Sequence, residues 1–64
     1  MKLGENIKAL RTLNDITQEE LAEKVGISQR MLSYIERDDR VPSLEVALRI
    51  AEQFNCSLDT IIKK

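Results

Sequence analysis

Residues 17–36 read TQEELAEKVGISQRMLSYIE, and the punctuation of this stretch decides the fold. Thr17 stands as an N-cap with Glu20 three residues on. At that spacing each side chain satisfies a backbone N–H that the helix start leaves unpaired. Ile16, before the cap, and Leu21, at the fourth helical position, form a hydrophobic staple. The signature repeats after Gly26, where Ser28 is the cap and Ile27 and Leu32 are the staple pair. Gly26 suits the left-handed residue that ends a helix, because it has no Cβ to clash there. The stretch predicts two short helices, about Gln18–Lys24 and Gln29–Arg37, joined by a tight turn.

The second helix carries the chemistry. At ~100° per residue, Leu32 and Ile35 point one way, with Met31 and Glu36 at the borders. Gln29, Arg30, Ser33, Tyr34 and Arg37 spread over the opposite face. Amide, guanidinium, hydroxyl and phenol groups are the ones that read base edges in a major groove. A solvated helix face carries similar groups, so composition alone does not separate the two. The capped turn in front does: helix, short Gly turn and second helix make the helix-turn-helix pattern.

The remaining segments supply the body. Leu3, Ile7, Leu10 and Leu13 place an apolar stripe on a first helix from Leu3 to Leu13. Asn14-Asp15 is its stop, with Asn suited to the left-handed conformation. Leu21, Ala22 and Val25 face the core from the next helix. Ser43 caps a fourth helix that runs to about Phe54, its inward set being Leu44, Ala47, Ile50, Ala51 and Phe54. Ser57 caps a short fifth helix, with Cys56 and Ile61 at staple positions. The expected fold is all-α, a five-helix orthogonal bundle forming one domain over residues 1–64.

Composition bounds the function. A 64-residue chain is one small domain with modest stability. No apolar run approaches the ~18 residues needed to span a bilayer, and Glu5, Asn6 and Lys8 break up any secretory h-region. A single Cys forms no internal disulfide, which fits a reducing cytoplasm. With no His and one Cys there is no zinc set, and no Gly-rich phosphate loop is present. The expectation is no enzyme, no cofactor, no metal, no membrane and no small-molecule ligand. The net charge of −1 argues against nucleic acid, whose binders are usually basic. Distribution matters more than the sum. Glu19, Glu20 and Glu23 lie on the first motif helix, whereas Arg30, Arg37 and Arg40 cluster on or after the second.

Thr17-Gln18-x-x-Leu21-Ala22-x-x-x-Gly26-Ile27-Ser28, then Ile35-Glu36 and Pro42-Ser43-Leu44, resembles the lambdoid repressor/Cro-type, or XRE, helix-turn-helix family. The likeness runs from about Leu3 to Ile62. It implies a lambda-repressor-like DNA-binding domain and a transcriptional regulator, a repressor that binds a palindromic operator on double-stranded DNA as a homodimer. By the same likeness Ser28, Gln29, Arg30, Ser33 and Tyr34 reach bases, while Gln18, Arg11, Arg37 and Arg40 hold phosphates. Arg11 and Glu36 form a partly buried ion pair between the first and third helices. The dimer seam falls at Val46, Asn55, Leu58, Ile61 and Ile62, with Leu48 beside it. Of these, Leu58 and Ile61 also suit closing the monomer core. The chain departs from the family at Asp38, where many relatives carry Gly at the helix end, and at Asp39, where a basic phosphate contact often occurs. An antitoxin or other protein-binding module on the same fold is the alternative function.

Overall fold

Both motif caps form as their spacing dictates. In the computed structural model, which describes residues 3–62, the Glu20 amide donates to Thr17 Oγ1 at 3.0 Å. The Thr17 amide in turn donates to Glu20 Oε1 at 2.9 Å. Ser28 Oγ accepts from the Met31 amide at 3.0 Å, and Ser43 Oγ from the Val46 amide at 3.2 Å. The helices are α1 Leu3–Leu13, α2 Gln18–Val25, α3 Gln29–Glu36, α4 Leu44–Gln53 and α5 Leu58–Ile62. No strand occurs among the described residues. At the fifth helix the Ser57 hydroxyl meets the Thr60 hydroxyl, 3.2 Å away.

Helices end here on residues that tolerate positive φ. Asp15 (56°), Gly26 (77°), Asp38 (61°) and Asn55 (53°) follow α1, α2, α3 and α4 in turn. The left-handed residue after α1 is thus Asp15, not Asn14. Asn14 instead turns its side-chain amide back onto the Leu10 carbonyl at 2.7 Å. Left-handed backbone costs an L-residue ~1–2 kcal/mol, less for Asn and Asp, whose short polar side chains bond locally.

Ile7, Leu21, Leu32, Ile35, Ile50 and Ile61 are fully buried and make the centre of the core. Around it α1 packs on α3 and α5, α2 packs on α3 and α4, and α4 packs on α5. Two expected core residues lie outside. Leu13 is 79% exposed and Leu44 is 66% exposed. At ~100° per residue Leu13 has drifted about 80° from Leu3, since steps of three fall short of a full turn. Leu44 is the first residue of α4, so its side chain leans past the start of the helix rather than over its neighbours. Phe54 and Leu10 pack against the core but stay half-buried.

Among the described residues, one charged side chain is buried with the core. The Glu36 side chain is 1% exposed and accepts from Arg11 Nε at 2.7 Å and Arg11 Nη2 at 3.1 Å. Gln18 Nε2 donates to the same carboxylate at 2.9 Å. Arg11 Nη1 donates to the Ile16 carbonyl at 3.0 Å. One carboxylate therefore ties α1 and α2 to the end of α3, and this leaves the outer face of α3 clear.

Candidate nucleic-acid interface

The outer face of α3 and the start of α2 form one open depression. It is lined by Gln18, Gln29, Arg30, Ser33, Tyr34 and Arg37. Gln29 and Arg30 are exposed, and Ser33 and Tyr34 half-buried. Short helices place these groups firmly here, because Leu32 and Ile35 on the opposite side of α3 are locked in the core. The depression offers two amides, a hydroxyl, a phenol and two guanidiniums. Such a set can donate to guanine O6/N7 and can pair with N6 and N7 on the major-groove edge of adenine.

The remaining predicted site residues take individual places. Ser28 is exposed, but its oxygen is engaged as the α3 cap. Gln18 opens α2, so its backbone N–H is the first of the helix-terminal donors that suit an anion. Its side chain is partly committed to Glu36, a contact the sequence reading did not contain. Arg11 has only 15% of its side chain exposed and turns all three nitrogens to internal acceptors, so its ion-pair role dominates. Arg37 Nε lies 3.3 Å from Asp39 Oδ2, and its Cζ sits 5.2 Å from the Tyr34 ring centroid. Arg40 lies over the same ring, 6.0 Å from the centroid.

The two aspartates that depart from the resembled pattern face different ways. Asp38 Oδ1 accepts the Gly4 amide at 2.9 Å, at the start of α1. A carboxylate there satisfies an orphan N–H and complements the positive end of the helix. Asp38 is thus a structural cap for α1, whereas Asp39 faces Arg37 beside α3.

At the expected seam, Val46 and Leu58 are half-buried, Asn55 is exposed, and Ile62 is exposed at the end of α5. Ile61 is 0% exposed. It closes the monomer core and has no surface to give a partner, so it drops out of the seam. Leu48 is exposed on α4.

Two capped helices across a glycine turn, the second held outward on an all-helical body, define a helix-turn-helix domain. The chain belongs to the XRE, or Cro/C1-type, helix-turn-helix family of DNA-binding transcriptional regulators, whose family pattern it matches over residues 7–61. It is 38% identical to the HTH-type transcriptional regulator ImmR of Bacillus subtilis (strain 168) over 64 residues, all of this chain and 50% of ImmR. It is 42% identical to the antitoxin PezA of Streptococcus pneumoniae over 60 residues, 94% of this chain and 38% of PezA. The chain therefore spans half or less of these two relatives. The P22 c2 repressor, solved in complex with a synthetic operator, superposes with a TM-score of 0.92 at 33% identity, covering 98% of this chain and 96% of that one. Among the described residues no helix is long and apolar enough to cross a membrane.

Proposed function

We propose that this chain is a repressor that binds a palindromic operator in double-stranded DNA as a homodimer in the cytoplasm. The observation that carries the reading is the depression itself: base-reading side chains of α3 and the N-terminus of α2 meet on one open face. In the proposal α3 lies in the major groove. Gln29, Arg30 and Ser33 read bases, with Ser28 and Tyr34 at the margins of the contact. Gln18, Arg37 and Arg40 hold phosphates, and Arg11 supports them from behind. The likeness to a repressor solved on its operator supports the assignment. The reading needs no cofactor and no catalytic residue.

Selection of bound sites from a random duplex library tests it directly. A two-fold symmetric consensus is the expected result, and enrichment of nothing would sink the proposal. Gln29→Ala and Arg30→Ala should each weaken specific binding by ~1–3 kcal/mol and relax preference at one base pair per half-site. Both side chains are exposed, so thermal stability should barely move. Full specificity in either variant would remove that residue from the reading head.

The dimer follows from information content. One recognition helix reads only a few base pairs, too few for a genome-scale search. Two-fold pairing doubles the site, and puts the two α3 helices in successive major grooves about 34 Å apart. Ile62, exposed at the end of α5, is the proposed centre of the seam, with Val46, Leu58 and Asn55 around it. Ile62→Glu should shift sedimentation equilibrium toward monomer. An unchanged dimer would move the seam elsewhere.

The likeness to PezA keeps one second reading in view, an antitoxin module that also binds a protein. Co-expression with the product of an adjacent reading frame separates the two. A stable complex formed through this domain favours the antitoxin.

A further inference from the structure

Arg37 and Asp39 are both well exposed, at 59% and 58% of their side chains, yet they pair at 3.3 Å. Exposed pairs of this kind add little to stability, so the fold does not explain the contact. Its position is more informative. Arg37 lines the depression that presents Gln29 and Arg30, and the Tyr34 ring beneath its guanidinium keeps it there. Asp38, the neighbouring carboxylate, is committed to the Gly4 amide and is turned to α1. Asp39, by contrast, meets a cation of the reading face.

We propose that Asp39 is a built-in counter-ion that occupies Arg37 until a backbone phosphate displaces it, and so sets how tightly this domain holds duplex DNA of any sequence. The inference rests on the DNA-binding reading given above. A lone cation on a phosphate releases a condensed counter-ion, and this release drives sequence-independent binding. A cation already paired with a carboxylate brings no net charge to the duplex. Once displaced, the Asp39 carboxylate stands beside the phosphates and repels them. Arg37 then contributes far less to affinity and to salt dependence than its charge suggests. Tyr34 keeps the guanidinium on the face after the carboxylate lets go, because a cation is attracted to the ring whichever anion it faces. In a chain of net charge −1, one cation held back in this way is a large share of the electrostatic attraction.

The test is a salt titration on a duplex of arbitrary sequence, about 20 base pairs long, followed by fluorescence anisotropy between about 50 and 200 mM KCl. Asp39→Asn should steepen the plot of log K against log salt by up to about 0.9 and tighten binding at the low-salt end by about threefold or more. Arg37→Gln should flatten the slope less in the native chain than in the Asp39→Asn chain, where it should cancel the gain. Glu52→Gln makes the same change in net charge from α4, which does not line the depression, and should leave the slope alone. An unchanged slope in Asp39→Asn overturns the proposal. So does an equal effect of Arg37→Gln in both backgrounds, or a Glu52→Gln slope that matches Asp39→Asn. If neither the native chain nor Asp39→Asn binds the duplex at low salt, the DNA-binding reading falls, and this inference with it. Binding with an unmoved slope removes the inference alone.

Discussion

Arg11→Ala should destabilise this domain by ~3–5 kcal/mol, the usual consequence of leaving a buried charge without its partner. Glu36 has 1% of its side chain exposed, so water cannot replace the guanidinium. Two hydrogen bonds to Arg11 would go, and the Gln18 amide would remain as the single side-chain donor among those bonded to Glu36. A 64-residue domain has roughly 3–10 kcal/mol of stability in all, so the loss takes between about a third of it and the whole. In a thermal melt each kcal/mol is worth roughly 4–8 °C at this size. Glu36→Gln keeps the shape but removes the charge, and the Arg11→Ala/Glu36→Gln pair closes a double-mutant cycle. The double variant should lose clearly less than the two single losses added together, because the unpaired carboxylate is gone. Additive losses would mean that the two residues do not interact. The functional consequence is indirect. Glu36 fixes Gln18 at the head of α2 against the end of α3, so loosening it separates the proposed phosphate contact from the reading head.

The motif was legible because its determinants are local. Thr17 with Glu20, Ser28 with the Met31 amide, and Gly26 at positive φ all act within a few residues. The reading face of α3 was legible for the same reason, since helical spacing separates Gln29, Arg30 and Ser33 from Leu32 and Ile35. Helix ends were harder. Leu13 and Leu44 fit a 3–4 spacing on paper, but Leu13 has drifted off the stripe and Leu44 leans past the start of α4, so both end exposed. Asp38 reads as a pure backbone cost next to its own helix. Its compensation is the Gly4 amide, 34 residues away in sequence, and no local rule reports that. Gln18 and Glu36 are likewise 18 residues apart, so the amide shared with the buried carboxylate appears only when α2 and α3 are packed. Asp39 and Arg37 are close in sequence, yet whether they meet depends on how the turn after α3 runs.

Gly4→Ala is the second large effect, and two principles give it opposite signs. Within a helix Ala is favoured over Gly by ~1 kcal/mol, so propensity alone predicts a more stable protein. Packing predicts the reverse. Gly4 is buried where α1 crosses the end of α3, and a Cβ there would overlap the Ile35 carbonyl oxygen. It would also come within 2.8 Å of the Glu36 carbonyl oxygen and 2.9 Å of Asp38 Oδ1. The Asp38 side chain could swing away, but the two carbonyls could not. Ile35 O already accepts the Asp38 amide at 3.0 Å, so moving it opens the last turn of α3. The start of α1 must therefore retreat from α3, and the 2.9 Å bond from the Gly4 amide to Asp38 goes with it. Forced overpacking costs ~1–3 kcal/mol and occasionally more, and a clash with rigid backbone belongs at the upper end. Set against the propensity gain, a net loss of about 2 kcal/mol is expected in urea denaturation. The retreat should also be felt at the reading face, because the lost Gly4–Asp38 bond anchors the turn that directly follows Tyr34 and Arg37. Gly4→Ala should weaken DNA binding even at temperatures where the domain remains folded. A variant as stable as the native chain would show that α1 and α3 can separate at no cost, and that this glycine does not set their approach.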